Sequence, residues 1–349
     1  VKATPIVTES NAVPVMSPPA GELITLESEA LRVRIWPRKG GKITSIVVRG
    51  HGSLADHPDR ELLHPPIHPY NTATDTSGFE LSDAGGWDEC FPSVAACSLN
   101  GRNIADHGEI WRKPWDTIEK NEAVLAHVNA STTSLRFSRW ISVDGPTMHL
   151  RYSVANTGTL GADFLWSAHP LFRVEAGDRI VLPASVDKVF VEYSSIDSLV
   201  NAHGTCSWPT AHLAHGAHLD LSTVGPEDGA TAHKLFAGPL DVGWCGIYRT
   251  QLQLGIVMGF NPAQTPFAGL WICQGAWPSG SDGPKQYTVA LEPTTAPCDA
   301  LDRAMKLGHA HHLLPQGEFS WPVQFEVFGS HTPIRYDEFL ELATTTPRH

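Results

Sequence analysis

Apolar and polar residues alternate one by one along many short stretches of this chain, and that rhythm restricts it to folds built from sheets. Leu31-Arg-Val-Arg-Ile35, Met148-His-Leu-Arg-Tyr-Ser-Val154 and Val323-Gln-Phe-Glu-Val327 carry it most clearly. Leu135-Arg-Phe137 and Gln251-Leu-Gln-Leu254 are shorter examples. A period of two sends successive side chains to opposite faces, so each stretch predicts a strand with one face buried. Turn-forming clusters such as Asp144-Gly-Pro146 and Asn156-Thr-Gly158 separate them. Helical spacing is confined to Leu301 to Lys306 and Tyr336 to Ala343. The expected class is all-β, a large antiparallel β-sandwich or barrel. Residues 51–86 and 200–240 are rich in Gly, Pro and His and poorly periodic, which predicts long loops. Residues 1–21 read as a loosely held N-terminal arm, and 22–349 as a single domain.

Charge narrows the partners. The 349 residues carry a formal net charge of −12 with no block of like charges, which argues against nucleic acid and anionic membrane. It also disfavours phosphosugars, and no Arg/Lys cluster stands out to bind a phosphate. No run of eighteen apolar residues is present, and Val1 to Pro19 lacks a basic segment followed by an apolar one. A soluble, cytoplasmic protein is expected, as monomer or homodimer. The six cysteines form no CxxC pair and predict buried thiols in a reducing compartment. The 11 tryptophans either fill a large core or stack on sugar faces, and composition leaves both readings open.

Several short motifs carry ionisable groups. Tyr287-Thr-Val-Ala-Leu-Glu292-Pro293 puts a carboxylate at the end of an apolar strand, where proline is expected to end the ladder. Taken alone, Glu292 reads as a surface residue or as an acid/base group lining a pocket. His169 lies in the apolar run Phe164-Leu-Trp-Ser-Ala-His169-Pro170, extended by the following proline. Histidine can exchange a proton near neutrality. Asp106-His107-Gly108-Glu109-Ile-Trp111 reads as a turn leading into a strand beside aromatic residues. Gly85-Gly86-Trp87-Asp88-Glu89 pairs a permissive loop with two acids, suited to sugar hydroxyls or to basic side chains. Phe267-Ala-Gly-Leu-Trp271 presents a tryptophan before a turn at Gly275, as a stacking platform or core filler. His309, His311 and His312 read as a surface cluster rather than a metal site, because no matching ligand motif accompanies them. No nucleotide-binding, zinc-protease or serine-hydrolase motif is present.

In order and spacing, Trp87-Asp88-Glu89-Cys-Phe-Pro92, Asp106-His107-Gly108-Glu109-Ile-Trp111, Ser167-Ala-His169-Pro170, Gly269-Leu-Trp271 and Leu291-Glu292-Pro293 resemble the aldose 1-epimerase (galactose mutarotase-like) family. The resemblance spans roughly residues 22 to 330. It implies a β-supersandwich that interconverts the α and β anomers of a free sugar without metal or organic cofactor. It implies Glu292 as general base, protonated His169 as general acid and His107 as an assisting group. Read from their residue types rather than from the resemblance, Trp87, Asp88, Glu89, Glu109 and Trp271 are the candidate carbohydrate contacts. Two departures stand out. The family's Ala-Asn-Arg type segment is replaced by Gly86-Trp87-Asp88-Glu89. The substrate-binding Asp expected between His169 and Glu292 has four candidates, Asp187, Asp197, Asp220 and Asp241. A lyase or hydrolase on the same scaffold, or a non-catalytic carbohydrate-binding protein, are the alternatives.

Overall fold

A computed structural model describes residues 22–50, 60–69, 78–120, 122–200, 204–213, 216–280 and 282–329, together with Pro18 and Leu54. The expected N-terminal arm, apart from Pro18, and the expected helix at 336–343 lie outside the described residues.

Two large antiparallel sheets dominate. One has eleven strands and the other eight, with three two-stranded ribbons beside them. Alternation explains why they face each other. In the Leu31–Trp36 strand, Leu31, Val33 and Ile35 are fully buried while Arg34 is exposed. In Glu318–Gly329, Trp321, Val323, Phe325 and Val327 turn inward together. The inward faces of both sheets share one continuous apolar core. Burying such side chains stabilises by roughly 1.5–3 kcal/mol each and offsets the entropy of ordering the strands.

The eleven-stranded sheet positions the chemistry. Across its middle run Lys42–Val48, Trp87–Cys90, Ser167–Arg173, Tyr287–Thr294, Phe267–Gln274 and Ala232–Ala237, in that order. His169 is paired with Asp88, Gly269 with Glu292, and Lys234 with Trp271. Partners across an antiparallel pair project to the same face, so these residues belong to one side of the sheet. Helix Leu301–Leu307 packs Leu301 and Ala304 against Cys90, Val94 and Leu165. It ends at Gly308, whose φ of 75° is the left-handed cap that glycine accommodates without strain.

Three expectations about local structure need correction. The segment 200–240 is not one long loop, because it contains Thr205–Ser207, Thr210–His212, His218–Asp220 and the fully buried Ala232–Ala237. Gln251 to Gln253 form a turn, and the strand begins at Leu254. Pro293 does not end its strand: it pairs with Ala268 and the ladder continues to Thr294. A proline forfeits one donor only, and the neighbouring pairs carry the strand past it.

Candidate functional site

Four strands of the large sheet and the loops carrying Phe79, Val94, His107, Trp277 and Asp299 line a cavity of about 350 Å³. That volume lies within the roughly 300–1,000 Å³ typical of small-molecule sites. Phe79, Tyr193, Trp271 and Trp277 give it aromatic walls, and His107, His169, Lys234 and Asp299 cluster as polar lining. Trp271 is oriented by its indole N–H, which donates to Oε1 of Gln286 at 3.1 Å. Gln286 is itself tied to the carbonyl of Ala84 at 2.9 Å.

His107 enters from a turn pinned to the sheet. Glu109 N–H donates to the Phe91 carbonyl at 2.8 Å. Gly108 sits at φ 76°, and a Cβ there would come within 2.1 Å of the same carbonyl oxygen. Only glycine fits that close approach. The ring of His107 stacks on Phe79 with centroids 3.6 Å apart, and meets His169 edge-on at 4.9 Å. The Asp106 carboxylate lies 3.0 Å from its Nδ1. Burial alone would raise the Asp106 carboxyl, but the side chain and backbone of His107 outweigh it and hold it below the usual carboxylate range.

His169 and Glu292 lie side by side on adjacent strands. His169 Nε2 is 3.9 Å from Oε1 of Glu292, too far for a direct hydrogen bond. The two oxygens of Glu292 differ. Oε2 accepts from Lys234 Nζ and, at 3.4 Å, from the Ser167 hydroxyl. Oε1 is buried with no hydrogen-bond donor among the described residues. Gly269 makes room for this carboxylate, since a Cβ there would stand 3.0 Å from Oε2. Burial, with His107, Lys234 and Lys42 adding to it, holds His169 well below the ordinary histidine value. Burial thus favours the neutral imidazole in the free site, where the family resemblance implies a protonated one.

Lys234 and Asp299, which no sequence motif marks, complete the polar lining. Lys234 Nζ also lies 3.4 Å from Oδ1 of Asp299. Burial alone would depress Lys234, but the Asp299 and Glu292 carboxylates outweigh it and push it up. Burial raises Asp299, with Lys234 opposing. The Asp299 carbonyl accepts from the backbone N–H groups of Val94 and Ala95 at 2.9 and 2.8 Å, which fixes its loop at the cavity rim. Of the interval between His169 and Glu292, Asp187, Asp197, Asp220 and Asp241 do not line the cavity, whereas Lys234 does. A lone lysine in Ala232-His-Lys-Leu-Phe-Ala237 was the available signal.

Four expected sugar contacts do not line the cavity. Trp87 and Glu89 face the inter-sheet core, because alternation puts them on the opposite face from His169. Trp87 packs against Phe325 at 6.3 Å, and Glu89 pairs with Arg139 at 2.8 Å. Asp88 is on the site side but buried beneath it, 2.8 Å from Lys42 Nζ, and burial raises it to about 6. Glu109 is occupied by the backbone N–H groups of Ser131 and Thr132. Trp271 and His107 line the cavity, and Glu292 sits directly behind it. The three C-terminal histidines diverge: His309 packs on Phe267, His311 on Phe164, and His312 pairs with Asp163. No described helix is long and apolar enough to cross a membrane.

Known structures match this architecture along almost the whole chain. The Slr1438 protein from Synechocystis sp. PCC 6803 is 18% identical with a TM-score of 0.64, covering 92% of this chain and 100% of that one. A galactose mutarotase related enzyme from Lactobacillus acidophilus is 15% identical with a TM-score of 0.61, covering 90% and 99%. A galactose mutarotase-like protein from Lactobacillus casei is 16% identical with a TM-score of 0.54, covering 87% and 99%. No family model and no curated protein matches the sequence. The chain has the galactose mutarotase-like fold, a large antiparallel β-sandwich.

Proposed function

We propose that the protein is an aldose 1-epimerase-like enzyme that interconverts the anomers of a free sugar. The observation that carries this reading is the 3.9 Å gap between His169 Nε2 and the unpaired Oε1 of Glu292. A buried acceptor without a partner costs about 1–3 kcal/mol. A hemiacetal placed there satisfies both groups, with its C1 hydroxyl donating to Oε1 and its ring oxygen accepting from the imidazole.

The reaction balances with residues of this chain. Glu292 takes the proton of the C1 hydroxyl, the bond between C1 and the ring oxygen breaks, and C1 becomes a carbonyl. The ring oxygen receives a proton from the histidine side. Neutral His169 holds that oxygen by hydrogen bond. His107, with the Asp106 carboxylate 3.0 Å from its Nδ1, is the group that delivers the proton. Rotation about C1–C2 and closure on the other face return both protons. Each positioned acid or base contributes about 10²–10⁴-fold. Trp271, Tyr193 and Trp277 offer apolar faces to the C–H side of the ring.

Two-dimensional exchange NMR on a panel of reducing sugars tests the reading. Wild-type protein accelerating α/β exchange of at least one sugar supports it, and no acceleration across the panel overturns it. A second reading has its own observation, the sealing of Glu292 behind Lys234, which suits a carbohydrate-binding protein without turnover. Calorimetric sugar binding with no exchange identifies that case. Cleaved product from glycosides in mass spectrometry identifies a lyase or hydrolase.

A further inference from the structure

We propose that Lys234 is a positioning residue for the reaction above, on which this inference rests: its ammonium binds Oε2 of Glu292 and leaves Oε1 as the single reacting oxygen. Nothing in the family resemblance calls for a lysine here, since the expected residue in this interval is an acid.

The geometry is built for a clamp. Phe236, Gly269 and Glu292 form one row across three strands, and Lys234 stands in the next row beside Trp271. The missing side chain at Gly269 leaves the space in which carboxylate and ammonium meet. Lys234 is held from two sides, by Glu292 and by Asp299, and both its own side chain and that of Glu292 are buried. A charged pair in such a place survives only if the geometry is good and the partners are fixed. Here the second anchor is fixed by the backbone bonds of Asp299 to Val94 and Ala95. A carboxylate gripped at one oxygen cannot rotate freely, so the other oxygen keeps a constant direction toward His169. The cation also favours the ionised carboxylate, the form that accepts a proton. Other titratable groups on the pair's side of the sheet are His169 from its strand, His107 from its turn and Cys90 from Trp87–Cys90.

Lys234→Met tests the clamp. In the exchange assay, kcat should fall by about 10²-fold with KM changed far less. The acid limb of the pH profile should move up by about one pH unit or more, because a buried carboxylate that loses its cation binds a proton more readily. Lys234→Arg keeps the charge and should keep the wild-type limb. Gly269→Ala keeps every charge but crowds Oε2, and should lower kcat without moving the limb. An unchanged limb and unchanged kcat in Lys234→Met overturn the proposal.

Carboxyl-carbon NMR separates this from the functional reading. The Glu292 resonance is identified by its loss in Glu292→Gln. Its titration midpoint should rise by about one pH unit or more in Lys234→Met even if no sugar in the panel is a substrate. A midpoint that stays in place overturns the clamp whatever the activity. Lys234→Gln provides the same comparison if the methionine variant fails to fold.

Discussion

Glu89 and Glu292 are both fully buried carboxylates on the same sheet, facing opposite ways. Glu89 points into the sandwich core and is hydrogen-bonded at both oxygens. Its Oε1 accepts from Arg139 at 2.8 Å and Tyr152 at 2.9 Å, and its Oε2 accepts from Trp166 at 2.9 Å. Glu292 points toward the cavity side and is satisfied at one oxygen only. On the proposed reading, the difference separates a charge kept for architecture from one available for chemistry. A carboxylate held at both oxygens and sealed in the core meets no substrate. A half-satisfied one, beside a cavity and a histidine, can accept a proton.

The comparison breaks or sharpens at four points. The largest expected effect is on stability. Glu89→Ala strands Arg139 in the core and should cost about 3–5 kcal/mol in urea unfolding, without altering the activity of molecules that remain folded. An unstable variant that also loses specific activity while folded would blur the distinction. Next, His169→Asn should lower anomer exchange by about 10²-fold with the melting curve unchanged. Loss of fold instead would make His169 architectural like Glu89.

Proton linkage gives a smaller effect. Burial lowers His233 to about 4, and its Nδ1 sits 2.9 Å from the Ser194 hydroxyl. The unfolded chain takes up that proton near the ordinary histidine value of 6.5, earlier than the folded one. Stability is therefore full above that value and is lost as pH falls from it toward 4. At pH 5 the loss from His233 should be roughly 1–2 kcal/mol. Thermal melts at pH 7 and 5 should show it, and His233→Gln should flatten the difference. Smallest of all, Trp271→Ala should raise KM several-fold, worth about 1 kcal/mol, and leave kcat nearly unchanged.

The same two faces explain what could be read from sequence. One-sided strands such as Leu31–Trp36 declare themselves, because one face is polar. The row that carries His169 and Glu292 was legible through its proline-flanked motifs. Lys234 was hidden because every residue of Ala232–Ala237 is buried. Its strand shows no alternation and sat inside an apparent loop. Asp299 lies beyond Glu292, where no spacing singled it out. In Trp87-Asp88-Glu89, adjacent residues looked like one cluster. Alternation splits them between core and site side, and only the three-dimensional register says which face is which.

The most direct measurement sets Glu292→Gln beside wild type in exchange NMR with a sugar that the wild type turns over. The account predicts a folded variant whose anomer exchange falls by about 10²–10⁴-fold. A folded Glu292→Gln protein with wild-type exchange would contradict it.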